Sequence, residues 1–222
     1  MSLHPPKKSD LGKSWMSKRK DQQRKINPEY HLIVTEGTTT EPQYFLAIKW
    51  IINEQAQERV QLEVVGQGDN TVNLFQQAKR IAAQSPNGYR HVWIVYDTDD
   101  FPPEHINLVA LLCEQASSEE CMFHAIWSNQ CIELWFLLHF SFMQSDLHRS
   151  EYWPKLNAQL QSLGNGDYRK NRDDMYAILR PRMDDAILNT EKLAVLNQGK
   201  TAAESAPGTR VHEMIKVFRP FL

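Results

Sequence analysis

Residues 31–45 read HLIVTEGTTTEPQYF. A short apolar run at 32–34 ends abruptly at a threonine, Glu36 and Gly37, and a threonine triplet then leads into a segment with helical spacing of apolar residues. An apolar run, a glycine turn and a helical pattern in this order predict a strand, a tight turn and a helix. Glu36 lies where the strand ends, which makes it the first candidate functional residue.

The same alternation of elements continues to about residue 145. The pattern predicts strands at 32–35, 60–65, 91–96 and 122–127, and helices at 41–57, 71–84 and 105–117, with a fourth helix beginning near Cys131. Thr40 and Gln43 predict a capping box at the start of the first helix. The strand at 91–96 is apolar without alternation, which is typical of a strand buried on both faces of a parallel sheet. We therefore expect an α/β fold in which helices flank a small parallel sheet.

The two ends of the chain differ from this middle region. Residues 146–222 predict helices around 151–163, 172–196 and 209–218, with a turn at 164–167 and a small, polar loop at 198–207. Residues 1–29 hold eight lysines and arginines and three acids, a net charge of +5, whereas the rest of the chain carries −7. The sequence thus predicts a basic N-terminal arm (1–29), an α/β domain (30–145) and a helical C-terminal extension (146–222).

The basic arm has two interpretations. It can be a solvated, partly flexible tail, or it can bind the phosphate backbone of a nucleic acid. In the second case the candidate contacts are Lys18, Arg19, Lys20, Arg24 and Lys25.

Composition and missing motifs limit the class of protein. Among 222 residues, 41% are hydrophobic and 23% are charged, as in soluble globular proteins. The apolar part of 121–145 is too short to cross a bilayer and no signal-peptide pattern opens the chain, so we expect a cytoplasmic protein without a membrane partner. The three cysteines have no CxxC spacing and no His/Cys pair has zinc-ligand spacing, so reduced thiols are expected. The chain has no GxxxxGK[ST] loop and no GxSxG elbow.

Acidic residues follow two of the predicted strands. Glu36 comes just after the first strand, and Asp97 and Asp99 come just after the third. In an open parallel sheet, ligands bind outside the carboxyl ends of the strands, where the strand order reverses. A 2-1-3-4 order would bring these three acids into one crevice, where their mutual repulsion favours a hard cation, Mg²⁺ or Mn²⁺. Each acid alone also has an ordinary interpretation as a turn or loop residue.

Glu133 is the only charged residue between 121 and 145, within a helical segment that is apolar nearly all round. Burying an unpaired carboxylate costs several kcal/mol. Glu133 is therefore paired, protonated, bound to a metal, or placed at the start of the helix, where Ser128 or Asn129 can cap. Glu41 is a weaker candidate, because an acid in the first turn of a helix needs only the helix dipole.

These residues together resemble two related groups of proteins. Glu36 after one strand and Asp97-x-Asp99 after another are similar to the metal-binding pattern of Toprim domains. Four longer stretches, LIVTEGTTTEPQYF (32–45), VWIVYDTDDF (92–101), SNQCIELWFLLHF (128–140) and YRKNRDDMYAILRPRMDDAI (168–187), resemble the RloB-like (AbiLii-like) family, as does the basic arm. Gln130 departs from the proline expected there. The resemblance implies a Toprim-like fold and a role in prokaryotic phage defence or abortive infection, in some systems with an ATPase partner.

Two functions from different classes follow. The first is a Mg²⁺- or Mn²⁺-dependent nuclease in which Glu36, Asp97 and Asp99 are catalytic and, with Glu133, hold the metal. The segment 168–172 would contact phosphates through Arg169, Lys170 and Arg172, with Tyr168 available for stacking, unless it is a solvated loop.

The second function is that of a non-catalytic sensor or effector subunit that docks an ATPase partner. A contiguous apolar patch on the C-terminal helices would favour docking.

Overall fold

The computed structural model describes residues 27–68, 71–98 and 101–222. The strands are β1 (Glu29–Thr35), β2 (Val60–Gly66), β3 (His91–Asp97), β4 (Met122–Asn129) and β5 (Gly208–Thr209). The helices are α1 (Thr40–Gln55), α2 (Thr71–Gln84), α3 (Pro103–Ala116), α4 (Glu133–Leu138), α5 (Arg149–Ser162), α6 (Met175–Leu179), α7 (Met183–Leu196) and α8 (Val211–Phe218). The predicted α/β fold is confirmed, and the architecture is consistent with a Toprim-like fold.

The five strands form one sheet in the order β2-β1-β3-β4-β5. β1 pairs in parallel with β2 on one side and with β3 on the other, and β3 pairs in parallel with β4. The chain therefore moves outward from β1 in both directions, and the strand order reverses between β1 and β3. A crevice opens at the carboxyl ends of neighbouring strands at such a point, which is where the expected 2-1-3-4 order places the acids.

Consecutive side chains of the central strands enter two hydrophobic cores. Ile33 and Trp93 pack on one face with α1 and the C-terminal helices. Leu32, Val34 and Ile94 pack on the opposite face with α2 and α3. Since neighbouring residues of a strand point to opposite faces, burial of both faces explains why these strands are apolar without alternation.

The C-terminal extension covers the α1 face of the sheet. Leu156 of α5, Leu179 of α6, Met183 of α7 and Ile215 of α8 all belong to the same core as the strands. The chain then adds β5, a two-residue strand antiparallel to β4, which the sequence did not predict. Residues 146–222 are therefore mainly helical, as expected, but they also complete the sheet.

Three local predictions at helix ends are wrong. The helix expected at 172–196 is two helices separated by a 3₁₀ turn at Arg180–Arg182, because Pro181 has no N–H for an α-helical hydrogen bond. The expected capping box is not formed: Thr39 precedes the first turn of α1 and its side chain makes no capping hydrogen bond. Neither Ser128 nor Asn129 caps α4, because both remain in β4, and the Ser128 hydroxyl bonds the Thr209 hydroxyl at 2.8 Å. Within the part of the chain that the structure describes, no helix is long and apolar enough to cross a bilayer.

Candidate functional site

A small pocket of about 190 Å³ lies at the carboxyl ends of β1, β3 and β4. Its lining consists of Glu36, Gly37, Thr39, Thr40, Glu41, Asp97, Cys131, Ile132, Glu133, Arg149, Trp153 and Lys170. Three acids that the sequence singled out, Glu36, Asp97 and Glu133, thus meet in one place although almost one hundred residues separate the first from the last. Glu41 joins them.

Glu36 is positioned by both central strands. Its amide donates to the Val95 carbonyl at 2.9 Å, and its carbonyl accepts from the Gly68 amide at 2.8 Å. Its side-chain Oε2 accepts from the Asp97 amide at 3.2 Å. The Glu36 carboxylate therefore reaches across the end of β1 to the last residue of β3, and the register of the two strands sets the distance between these acids.

Glu41 lies in the first turn of α1, and its side chain is buried. An acid that serves only the helix dipole could remain exposed, so this burial was not predicted. Burial raises the pKa of Glu41 and the neighbouring Glu133 adds to the rise, while hydrogen bonds with the backbone of Glu41 and Gly37 oppose it. Gly37 leaves room for this carboxyl group, since a Cβ there would lie 2.8 Å from the Glu41 Cδ. The glycine after Glu36 therefore has a steric role in the pocket.

Glu133 begins α4, as one of the sequence interpretations expected, and it is 3% exposed. Its Oε1 accepts a hydrogen bond from the Tyr168 hydroxyl at 2.7 Å and another from the Trp153 Nε1 at 3.2 Å. Both donors belong to the C-terminal extension, which is therefore part of the pocket wall. Burial, together with Glu133, raises the pKa of the Cys131 thiol, so the anionic groups of the pocket that can bind a cation are its carboxylates.

Two cationic side chains, Arg149 and Lys170, also line the pocket. The Lys170 ammonium lies 5.0 Å from the centroid of the Trp153 ring, a cation–π distance. Lys170 and its neighbour Arg169 are both solvent-exposed. The rim of the pocket thus carries positive charge above a floor of carboxylates.

Arg172 and Tyr168, which the sequence predicted to contact nucleic acid, form hydrogen bonds within the protein. Arg172 donates to both carboxylate oxygens of Asp174 at 2.6 and 2.7 Å and to the carbonyls of Asn165 and Asp167 at 2.7 and 2.9 Å. Its guanidinium therefore holds the loop between α5 and α6 in place. The expectation that Tyr168 is available for stacking is wrong, because its ring is 8% exposed and its hydroxyl bonds Glu133.

Some of the predicted site residues fall outside the described part of the chain. They are Asp99 and the arm residues Lys18, Arg19, Lys20, Arg24 and Lys25.

A second group of possible metal ligands lies at the opposite end of the sheet. Glu29, His31 and His91 offer ligand atoms that all lie within 4.8 Å of one another, and this cluster can hold a metal ion. His31 and His91 are direct partners in the β1–β3 register. Sixty residues separate them in the sequence, so a search for short ligand spacing could not find them.

Comparison with known proteins gives one match. The family model described as RloB-like protein matches residues 31–218. The match spans β1 to α8 and includes every described residue of the pocket. No curated protein and no solved structure matches the chain.

Proposed function

The chain belongs to the RloB-like family, and we propose that it is a metal-dependent nuclease that hydrolyses phosphodiester bonds of DNA or RNA. The observation that carries this proposal is the convergence of Glu36, Glu41, Asp97 and Glu133 in one pocket at the carboxyl ends of the central strands. That is the place where open parallel sheets bind their ligands.

The chemistry of the pocket fits Mg²⁺ or Mn²⁺. Its anionic groups are carboxylates, whose oxygens these hard cations prefer over nitrogen and sulfur ligands. The pKa of Glu41 is raised by burial and by the charge of Glu133, and a cation between the acids would relieve this repulsion. A bound Mg²⁺ or Mn²⁺ would supply an activated water and neutralise charge on the scissile phosphate.

The side chains of the pocket would have different roles. Asp97 and Asp99 would be the principal metal ligands, and Glu36, held against the Asp97 amide at 3.2 Å, would be a further ligand or the general acid or base. Glu133 would contribute through Oε2, because its Oε1 already accepts hydrogen bonds from Tyr168 and Trp153.

Positive residues around the pocket would hold the nucleic acid. Arg149 and Lys170 lie on the lining, and Arg169 is exposed beside them. The basic arm, through Lys18, Arg19, Lys20, Arg24 and Lys25, would add contacts that bind the backbone without reading sequence. Arg172 would act indirectly by fixing the loop that carries Lys170.

The experiment compares cleavage with binding. The full chain, alone and with an ATPase partner, is incubated with single- and double-stranded DNA and RNA in Mg²⁺ or Mn²⁺. We expect Asp97→Asn to abolish cleavage while it leaves nucleic-acid affinity largely unchanged, because it removes a metal contact and no phosphate contact. Asp185→Asn, an exposed aspartate on α7, is the matched control and should cleave normally.

Deletion of residues 1–29 should give the opposite result. Binding should weaken and lose part of its dependence on salt, since fewer counterions are released, while the rate at saturating substrate changes less. The proposal fails if no substrate is cut under any of these conditions, or if Asp97→Asn cuts as well as the wild type.

In cells we propose a role in phage defence or abortive infection, controlled by an ATPase partner. This proposal rests on family membership alone. The Asp97→Asn variant, expressed at the wild-type level, should then lose protection or toxicity, and full protection by this variant would argue for a non-catalytic role.

The non-catalytic alternative is supported by one surface of α7. Leu188, Val195 and Leu196 are all more than half exposed, and spacings of seven and eight residues place them on one helical face. Such an apolar stripe suits an ATPase partner that docks on the C-terminal extension. Leu188→Asp should then abolish co-purification of the partner, whereas Leu111→Asp, at an exposed leucine of α3, should not.

A further inference from the structure

The amino ends of β1 and β3 carry a ligand set unlike that of the pocket. Glu29 and His31 are two residues apart on β1, so their side chains leave the strand on the same side, and His91 is the register partner of His31 on β3. The Glu29 Oε1 lies 3.2 Å from the His31 Nε2 and 3.1 Å from the His91 Nε2. One carboxylate oxygen and two imidazole nitrogens thus face a common point.

We propose that Glu29, His31 and His91 bind a divalent first-row transition metal of the Zn²⁺ type. Imidazole nitrogens select such ions, whereas Mg²⁺ prefers oxygen ligands. Ligand atoms about 2.0–2.1 Å from a tetrahedral Zn²⁺ are separated by roughly 3.3 Å, close to the two distances from the Glu29 Oε1. Three protein ligands would leave the fourth position to water or another small ligand.

Without metal, the same atoms form an ordered chain of hydrogen bonds. The Trp93 Nε1 lies 3.2 Å from the His31 Nδ1, and an indole N–H can only donate. The His31 Nδ1 therefore accepts, so the ring proton of His31 is on Nε2, facing Glu29. The His91 Nδ1 lies 2.9 Å from the His124 Nε2. A metal would replace the protons between the two histidines and Glu29.

The two histidines differ in how easily a metal ion can replace the proton on their Nε2 atoms. His91 can carry its proton on Nδ1 and donate it to His124, which gives the second hydrogen bond that metal-binding histidines usually make. In His31 a proton on Nδ1 would face the N–H of Trp93, so metal binding costs the Trp93 hydrogen bond. Trp93 therefore weakens the site, and its removal should tighten metal binding.

The site reaches solvent through Glu29 and is separate from the pocket of acids. Glu29 is exposed and lines an open depression of about 860 Å³ together with Asn27 and Arg90. Glu36 follows the end of β1 and is five residues from His31, which is roughly 17 Å at 3.3 Å per residue. Transition-metal binding at Glu29 can therefore succeed or fail independently of Mg²⁺-dependent cleavage.

The first test measures Zn²⁺ and Co²⁺ binding to the full chain by calorimetry and by thermal unfolding. Glu29→Gln is the decisive variant, because glutamine keeps an oxygen that accepts both imidazole N–H groups but loses the charge that binds metal. We expect Zn²⁺ to raise the melting temperature of the wild type by mass action and Glu29→Gln to bind at least about tenfold more weakly. His105→Ala, at an exposed histidine of α3, is the control and should bind like the wild type. Absence of binding by the wild type, or equal binding by Glu29→Gln, would overturn the proposal and leave a network of hydrogen bonds only.

The second test asks whether His31 is a ligand. Trp93→Phe removes the competing donor and keeps an aromatic ring, and it should bind Zn²⁺ roughly tenfold more tightly. Unchanged or weaker binding would show that His31 does not contact the metal and would overturn the three-ligand site. If Trp93→Phe does not fold, the visible absorption of Co²⁺ bound to the wild type decides instead: a strong tetrahedral band supports the site, and the weak band of hydrated Co²⁺ refutes it.

Discussion

Replacing Tyr168 by phenylalanine tests whether the C-terminal extension is anchored through a buried carboxylate. The Tyr168 hydroxyl donates to the Glu133 Oε1 at 2.7 Å, with 8% of Tyr168 and 3% of Glu133 exposed. Phenylalanine leaves no void beyond the missing oxygen, but it removes one of the two donors to Oε1. A hydrogen bond to a charged group contributes about 1.5–3 kcal/mol, so Tyr168→Phe should lower the free energy of unfolding by about that amount.

A second tyrosine provides a matched control. The Tyr89 hydroxyl donates to a carboxylate oxygen of Glu63, but Glu63 is exposed and water can replace the lost donor. Tyr89→Phe should therefore cost less than about 1 kcal/mol. The two substitutions are chemically identical and differ in the burial of the carboxylate, so their difference isolates the effect of burial.

The assay is urea unfolding of both variants at neutral pH, with thermal unfolding as a second measurement. For a chain of this length, 1.5–3 kcal/mol corresponds to a fall in melting temperature of roughly 3–12 °C. Equal losses of unfolding free energy in Tyr168→Phe and Tyr89→Phe would refute the reasoning. They would mean that a tyrosine hydrogen bond to the buried Glu133 stabilises the fold no more than one to an exposed glutamate.

Three further predictions concern the walls of the pocket. Gly37→Ala should destabilise the protein by about 1–3 kcal/mol in urea unfolding, because its Cβ meets the buried Glu41 carboxyl group, and the loss should shrink when Glu41 is also alanine. Because the pKa of Glu41 is raised by burial and by Glu133, the wild type should lose stability as the pH rises from 4.5, the ordinary pKa of this carboxyl, through the raised value. Glu41→Gln has no carboxyl group to titrate and should not show this loss. When unfolding is measured at a series of pH values, the stability of Glu41→Gln relative to the wild type should therefore increase over that range. Arg172→Ala should speed amide hydrogen exchange in residues 164–174, since it removes the guanidinium that bonds two loop carbonyls; unchanged exchange would show that the loop does not depend on it.

The order of elements and the location of the acids could be predicted because both depend on local pattern. The apolar run before Glu36 and the run before Asp97 mark two strands buried on both faces, and the alternation with helices makes the sheet parallel. Once these strands are neighbours, their carboxyl ends must lie together. The convergence of Glu36 with Asp97 therefore follows from the fold class together with the 2-1-3-4 strand order, and it required no knowledge of side-chain contacts.

Features that depend on long-range pairing were missed. β5 has two residues and no periodicity, and only its position beside β4 makes it a strand. His31 and His91 become neighbours through the β1–β3 register, which residue spacing does not reveal. Tyr168 lies in a polar, charged segment that reads as an exposed loop, yet its ring fills a space next to Glu133.

The charges of the pocket explain how its acids can remain together in the folded chain before any metal binds. Among the described residues, four acids face two cations, Arg149 and Lys170, so the pocket carries two surplus negative charges when every acid is ionised. The N-terminus of α1, which begins at Thr40, offsets part of this charge through its dipole, and burial together with the neighbouring Glu133 raises the pKa of Glu41. A divalent cation carries two positive charges, which matches this surplus of the fully ionised pocket. The proposed Mg²⁺ or Mn²⁺ would therefore relieve the repulsion by Glu133 that contributes to the raised pKa of Glu41.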